Sequence, residues 1–208
     1  MDKPDKPAPV IRSYRLGAKN KKMTDDAGGD QPTSYRIHVD HGLPLATLLE
    51  TYGVDLAPDA ALITAENFPS PGGAGTELEV ELFDFSFRSD YGRSGVDEAF
   101  IRDKFEMFKF RAATLPELVC FSYYFRETYR GQWHEAITVI ALGSVLETKD
   151  LVRKKGWFSK EVTASLRNYP ELQIVSGRPR DLLTLSTTEP NQDGNWPTAT
   201  LFLAVPVA

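Results

Sequence analysis

A chain of 208 residues with 41% hydrophobic and 25% charged side chains has enough apolar material for one sizeable core, and its formal net charge of −5 makes it acidic as a whole. No apolar run approaches the roughly 18 residues of a spanning helix, and Met1 to Val10 lacks the apolar stretch of a signal peptide. With a single cysteine, Cys120, the chain can form no internal disulfide, so a cytoplasmic setting and no membrane partner are expected.

The charge is unevenly spread. Residues 1–22 carry seven basic side chains and two acidic ones, a local +5, which leaves −10 for the remainder. So acidic a body is a poor nucleic-acid surface, whereas the basic N-terminal segment can make weak contacts of its own. Residues 1–33 are rich in Pro, Lys, Asp and Gly, with Val10, Ile11, Tyr14 and Leu16 as their sizeable apolar cluster. They are expected to form a disordered basic arm, because so little apolar surface cannot offset the entropy of ordering. A single α+β domain is expected over 34–208, with a strand-helix-strand part at 34–90 and a core at 91–208.

Order is expected to begin at Tyr35, where Tyr35, Ile37 and Val39 alternate with polar residues as in a half-buried strand. Leu45, Leu48, Leu49 and Tyr52 then follow helical spacing, with Pro44 suited to a first turn and Gly53 to the position after the helix. Val54 to Pro71 reads as connection, interrupted by Ala60 to Ile63. From Thr76 to Phe87 a long strand changes phase: Leu78, Val80 and Leu82 fall on one parity and Phe83, Phe85 and Phe87 on the other. Either a bulge or burial on both faces accounts for that.

Ser94-Gly-Val-Asp97 resembles a capping box opening a helix to about Phe110, with Ile101, Phe105 and Phe108 along one stripe. Thr114-Leu-Pro-Glu117 repeats the device for a helix that runs to about Tyr129 and closes at Gly131. Ala136 to Leu146 has no polar alternation, which predicts a strand covered on both sides. Lys149 to Arg167 reads as a basic-aromatic excursion, Leu172–Val175 and Leu182–Leu185 as short strands, and Thr187 to Pro197 as a polar loop. Ala199 to Val205 is so apolar that it must pair inside the sheet. The fold class is therefore α+β, with two or three helices on a twisted, mainly antiparallel sheet.

Three blocks carry a family resemblance. Arg111-Ala-Ala-Thr-Leu-Pro-Glu-Leu118 resembles a segment of the formylglycine-generating-enzyme-like branch of the C-type lectin-like fold. It is more similar still to uncharacterised bacterial proteins reading Arg-Pro-Ala-Thr-Leu-x-Glu-Leu, Val-Ala-Leu-Gly-Ser and a terminal Arg-Phe-Leu-Ala-Val. Here the second and third blocks are Ile140-Ala-Leu-Gly-Ser144 and Leu201-Phe-Leu-Ala-Val205, and Ile63-Thr-Ala-Glu-Asn-Phe-Pro69 resembles the front half of those proteins. Leu201 stands where they carry Arg, and 149–167 resembles an insertion. The resemblance implies a C-type lectin-like core closed by the terminal strand, and no reaction.

Chemistry-bearing patterns are few. Formylglycine generation uses paired cysteines, and Cys120, inside an apolar helix, reads as an inert core thiol. Glu189-Pro-Asn191 matches the triplet that binds calcium and sugar in some C-type lectins, and Asp193 and Asn195 add oxygens, but the companion Trp-Asn-Asp element is replaced by Trp196-Pro-Thr198. Calcium is the one cofactor this suggests; otherwise none is expected. Glu77, Glu79 and Glu81 read as the wet face of a sheet, His38, His41 and His134 lack a third metal ligand, and Ser94 and Ser144 are not in nucleophile elbows.

Trp157, Phe158 and Trp196 read as exposed aromatic anchors, and Arg153, Lys154, Lys155 and Lys160 as an anion-binding cluster. These features lead to the expectation of a non-enzymatic recognition module that binds a protein or small ligand through loops 149–167 and 186–198. The alternative is a nucleic-acid-associated accessory protein using the basic arm and Arg153–Lys160, and the third is an enzyme of unrecognised type.

Overall fold

The last strand of the chain forms the middle of the sheet. In the computed structural model, which describes residues 12–16, 23–25, 34–85, 95–129, 136–154, 160–175, 178–188, 196–197 and 200–207, β13 (Leu201–Pro206) has three partners. It runs antiparallel to β5 (Thr76–Asp84) and β7 (Phe110–Ala112), and parallel to β8 (Ile137–Ile140). Beyond β8 come β10 (Lys160–Ile174), β11 (Asp181–Thr188) and the parallel edge strand β4 (Val54–Leu56). On the other side, β5 pairs with β3 (Tyr35–Val39) and with β1 (Arg12–Leu16), which in turn pairs with β2 (Met23–Asp25). The sheet is mixed and mostly antiparallel, as expected.

Strand alternation divides the core between its two faces. Leu201, Leu203 and Val205 of β13 join Val80, Leu82 and Val139 in one cluster beneath α1 (Leu45–Tyr52) and α3 (Leu115–Tyr129). Phe202 and Ala204 join Phe83, Phe85 and Ile140 in the other, beneath α2 (Glu98–Met107). Each fully buried large side chain contributes about 1.5–3 kcal/mol. The phase change in β5 is thereby resolved without a bulge: Val80, Glu81, Leu82 and Phe83 are all buried because the sheet is covered on both sides. Glu81 belongs to that buried run, so the three strand glutamates do not share one wet face. Glu77 and Glu79 remain exposed and face His38 at 2.9 Å and Arg36 at 3.7 Å.

Local signals explain the helices. Gly53 closes α1 in the left-handed conformation, at φ 67°, and Pro44 occupies the cap position just before the first turn. For α2 the cap is Asp97 itself, whose carboxylate accepts from Phe100 N–H at 2.8 Å. The expected box over 94–97 is displaced because Gly95 and Val96 form the short strand β6 (Gly95–Val96), paired with β12 (Trp196–Pro197). In α3, Glu117 reaches back to accept from Thr114 N–H at 2.7 Å, as its spacing predicts. A further cap comes from elsewhere: Ser144 Oγ accepts from Leu115 N–H at 2.9 Å.

Two expectations are corrected. The apolar stretch 136–146 is not one strand, since β8 ends at Ile140 and a turn places Gly143 N–H on the Ala113 carbonyl at 2.8 Å before β9 (Leu146–Lys154) begins. The stretch 149–167 is not a loop, because β9 and β10 pair antiparallel from Leu146–Asn168 to Lys154–Lys160. Charged residues on both parities hide the period of two. Within the N-terminal arm, β1 and β2 pair; the rest of 1–33 lies outside the described residues. No described helix is long and apolar enough to cross a membrane.

Gly143 is needed for space, not for its dihedral freedom. A Cβ there would lie 2.6 Å from the Ala113 carbonyl oxygen and 2.7 Å from that of Ala112, both backbone atoms. Gly143→Ala is expected to destabilise the fold by about 1–3 kcal/mol, as overpacking does, read as a lower urea midpoint at unchanged slope.

Candidate functional site

The β9–β10 ribbon is where the chain's basic cluster meets a defined geometry. Among the described residues, Lys160 to Leu166 pair with β9 alone, the β11 register beginning at Arg167. At about 3.3 Å per residue, this part of the ribbon runs about 20 Å past the last β11 pair. Its far end sets Lys154 opposite Lys160 and Arg153 opposite Glu161.

The base of the ribbon is fixed by a carboxylate. Glu98, in the first turn of α2, accepts from Tyr169 OH at 2.5 Å, Arg167 Nη1 at 3.0 Å and Arg102 Nε at 2.6 Å. Arg102 also donates to the Leu142 carbonyl at 2.9 Å, and Arg167 Nε to Glu147 at 3.2 Å, so one network joins α2, β9, β10 and the turn at Gly143. Burial pushes the Glu98 carboxyl up, but the hydrogen bonds from Tyr169, Arg102 and Arg167 outweigh it and hold the group below the usual range. Burial and the neighbouring Glu98 carboxylate keep the Tyr169 phenol protonated far above its ordinary value. On β10 next door, Asn168 donates to the Leu146 carbonyl and to Thr148 Oγ1, both at 3.0 Å, and accepts from Thr187 Oγ1 at 2.7 Å. Asn168–Leu146, Asn168–Thr148 and Arg167–Glu147 tie β10 to β9, while Glu98 and Thr187 hold the ribbon to the body. With Tyr169 kept protonated and both arginines paired to Glu98, the cluster positions a strand pair.

A second buried polar cluster is also structural. Asp181, 1% exposed, accepts from Ser122 Oγ and lies 3.4 Å from Arg126 Nη1. Arg126 also donates to the Tyr52 and Gly53 carbonyls at 3.1 Å each, closing the C-terminus of α1. Burial raises the Asp181 carboxyl against the lowering effects of Ser122 and Arg126. Cys120 is 2% exposed and burial raises its thiol, as suits a core residue.

The expected site residues separate. Trp196 is a correction: it is 2% exposed, packed edge-on against Tyr169 and Phe202, with Nε1 donating to Ser186 Oγ at 2.7 Å. Its indole is a core element with a satisfied polar atom, because Gly95–Val96 pairs with Trp196–Pro197 and draws the ring inward. Arg153, Lys154 and Lys160 stand on the ribbon strands. Lys155, Trp157 and Phe158, and Glu189, Asn191, Asp193 and Asn195 of the expected calcium loop, lie outside the described residues, as do His134, Ser94 and Gly131. Among the described residues, no three His, Cys, Asp or Glu side chains group as metal ligands.

No family model, curated protein or solved structure matches the chain significantly. The network around Glu98 was not found by motif, since its members are 69 and 71 residues apart. One usable signal was the i,i+4 pair Glu98–Arg102 in the first turns of α2.

A carboxyl held low in the fold contributes stability above its unfolded pKa, near 4.3 for glutamate, and loses it as pH falls through the folded value. Glu98→Gln is expected to cost about 1–3 kcal/mol near neutral pH, the range for a hydrogen-bonded charge, and to flatten the loss of stability at acid pH. Urea denaturation across pH 2–7 checks both.

Proposed function

We propose that this chain is a non-enzymatic recognition module whose contact element is the β9–β10 ribbon and whose partner is a short acidic segment of another protein. The observation that carries it is the pairing of Lys154 with Lys160 at the ribbon's end, with Lys155 next in sequence. Like charges directly opposite each other cost energy in an isolated ribbon, and a bound carboxylate relieves that cost. Trp157 and Phe158 follow in sequence, outside the described residues, and aromatic rings add apolar area to an ionic contact. The acidic body does not forbid such a partner. A tip about 20 Å from the last β11 pair is beyond the Debye length of about 8 Å at physiological salt.

The reading includes a C-type lectin-like core, supported by the meeting of the three resembling blocks: Ser144 bonds Leu115 N–H, and β13 pairs with both β7 and β8. A second reading, a nucleic-acid-associated accessory protein, draws on the same lysines and on the basic residues 1–22. A long polyanion lying along the chain would meet the body's −10, which favours the shorter acidic ligand.

Titration with a poly-glutamate peptide tests the proposal. Binding is expected for the native chain, with Lys154→Glu/Lys160→Glu weakening it at least about tenfold, or ~1.4 kcal/mol, at unchanged thermal stability. No binding, or equal binding by the double variant, contradicts it. A single-stranded oligonucleotide that binds more tightly than the peptide, with affinity falling steeply as salt rises, would establish the second reading instead.

A further inference from the structure

Pro170 reveals which way the ribbon's backbone groups point. Ala141 N–H donates to the Pro170 carbonyl at 3.1 Å, so the polar backbone of Pro170 faces the β8 flank of β10. Residues 167 and 168 pair with both β9 and β11, and 171–173 with both β8 and β11, so β8 and β9 share that flank. The β11 register runs unbroken from Arg167 to Gln173, so the alternation of an antiparallel ladder carries through. Even-numbered residues of β10 therefore bond β9, in pairs such as Val162–Val152, Ala164–Asp150 and Leu166–Thr148. The N–H and C=O groups of Glu147, Lys149, Leu151 and Arg153 point the other way, to an outer edge where no strand pairs among the described residues.

An open edge of this length is a template for a further strand. We propose that its occupant is β9 of a second copy of this chain, antiparallel about a two-fold axis at residue 150. Ladder bonds form between residues that both present outward groups, so odd-numbered residues face odd-numbered ones. Full overlap of Leu146–Lys154 then sets Glu147 opposite the second copy's Arg153, and Lys149 opposite its Leu151, each twice. Charge selects this register. Within one copy Glu147 accepts from Arg167 at 3.2 Å, and Arg153 stands opposite Glu161. Across four strands the row reads Arg167, Glu147, then the second copy's Arg153 and Glu161, alternating in sign at every step, and the two-fold repeats it. The ribbon tips end at opposite ends of the joined sheet, so this pairing does not depend on what the tips bind.

The register predicts a cross-link. Residue 150 faces itself in a non-hydrogen-bonded pair, where Cα atoms are about 4.5 Å apart, inside the range a disulfide spans. Asp150→Cys also removes the one like-charged pair of the register, while a cysteine at 149 would face Leu151. Native Cys120, 2% exposed, offers no competing thiol. Light scattering on the full chain should give a two-chain mass, and one chain for Leu151→Pro, which removes an outward N–H. On oxidation, Asp150→Cys should cross-link and Lys149→Cys should not. A one-chain mass for the native protein, a two-chain mass for folded Leu151→Pro, or equal cross-linking at 149 and 150 would overturn the proposal; if Leu151→Pro fails to fold, the two cysteine variants and the native mass decide.

Discussion

The structure depends on a strand that water never reaches. Leu201 to Val205 are each 5% exposed or less, on both faces, so neither side of the sheet at β13 can be left open. That requirement places α1 and α3 on one face and α2 on the other, and it obliges β5, β7 and β8 to satisfy the strand's backbone groups. A strand this apolar left at an edge would recruit another chain. At the centre, it recruits the rest of its own.

One joint connects that strand to α3. Arg111 of β7 makes a two-pronged ion pair with Glu117 at 2.6 and 3.0 Å, Glu117 caps Thr114, and Ser144 caps Leu115. Burial raises the Glu117 carboxyl, but Arg111 and Thr114 outweigh it and hold the group ionised. The Ile140–Ser144 block serves this joint. Its glycine admits the Ala112 and Ala113 carbonyls, and its serine supplies a cap.

Elements governed by local chemistry were legible in the sequence. Tyr35–Val39 alternates as its residues dictate, Gly53 ends α1, Glu117 reaches back to Thr114, and the terminal strand is buried. What depended on distant partners was not legible. Trp196 looks exposed because its neighbours in sequence are polar, yet Tyr169, Ser186 and Phe202, 27, 10 and 6 positions away, enclose it. The ribbon was hidden because its charges fall on both parities. The Glu98 cluster was hidden because Arg167 and Tyr169 lie 69 and 71 residues from Glu98. Within the basic cluster, the register that sets Lys154 opposite Lys160 was announced by no local pattern.

Native-state hydrogen exchange tests the central role of β13 most directly. The account predicts that the amides of Leu201 to Val205 exchange only through global unfolding, with an opening free energy equal to that from urea denaturation. Exchange of those amides through a smaller opening, while α3 stays protected, would contradict it.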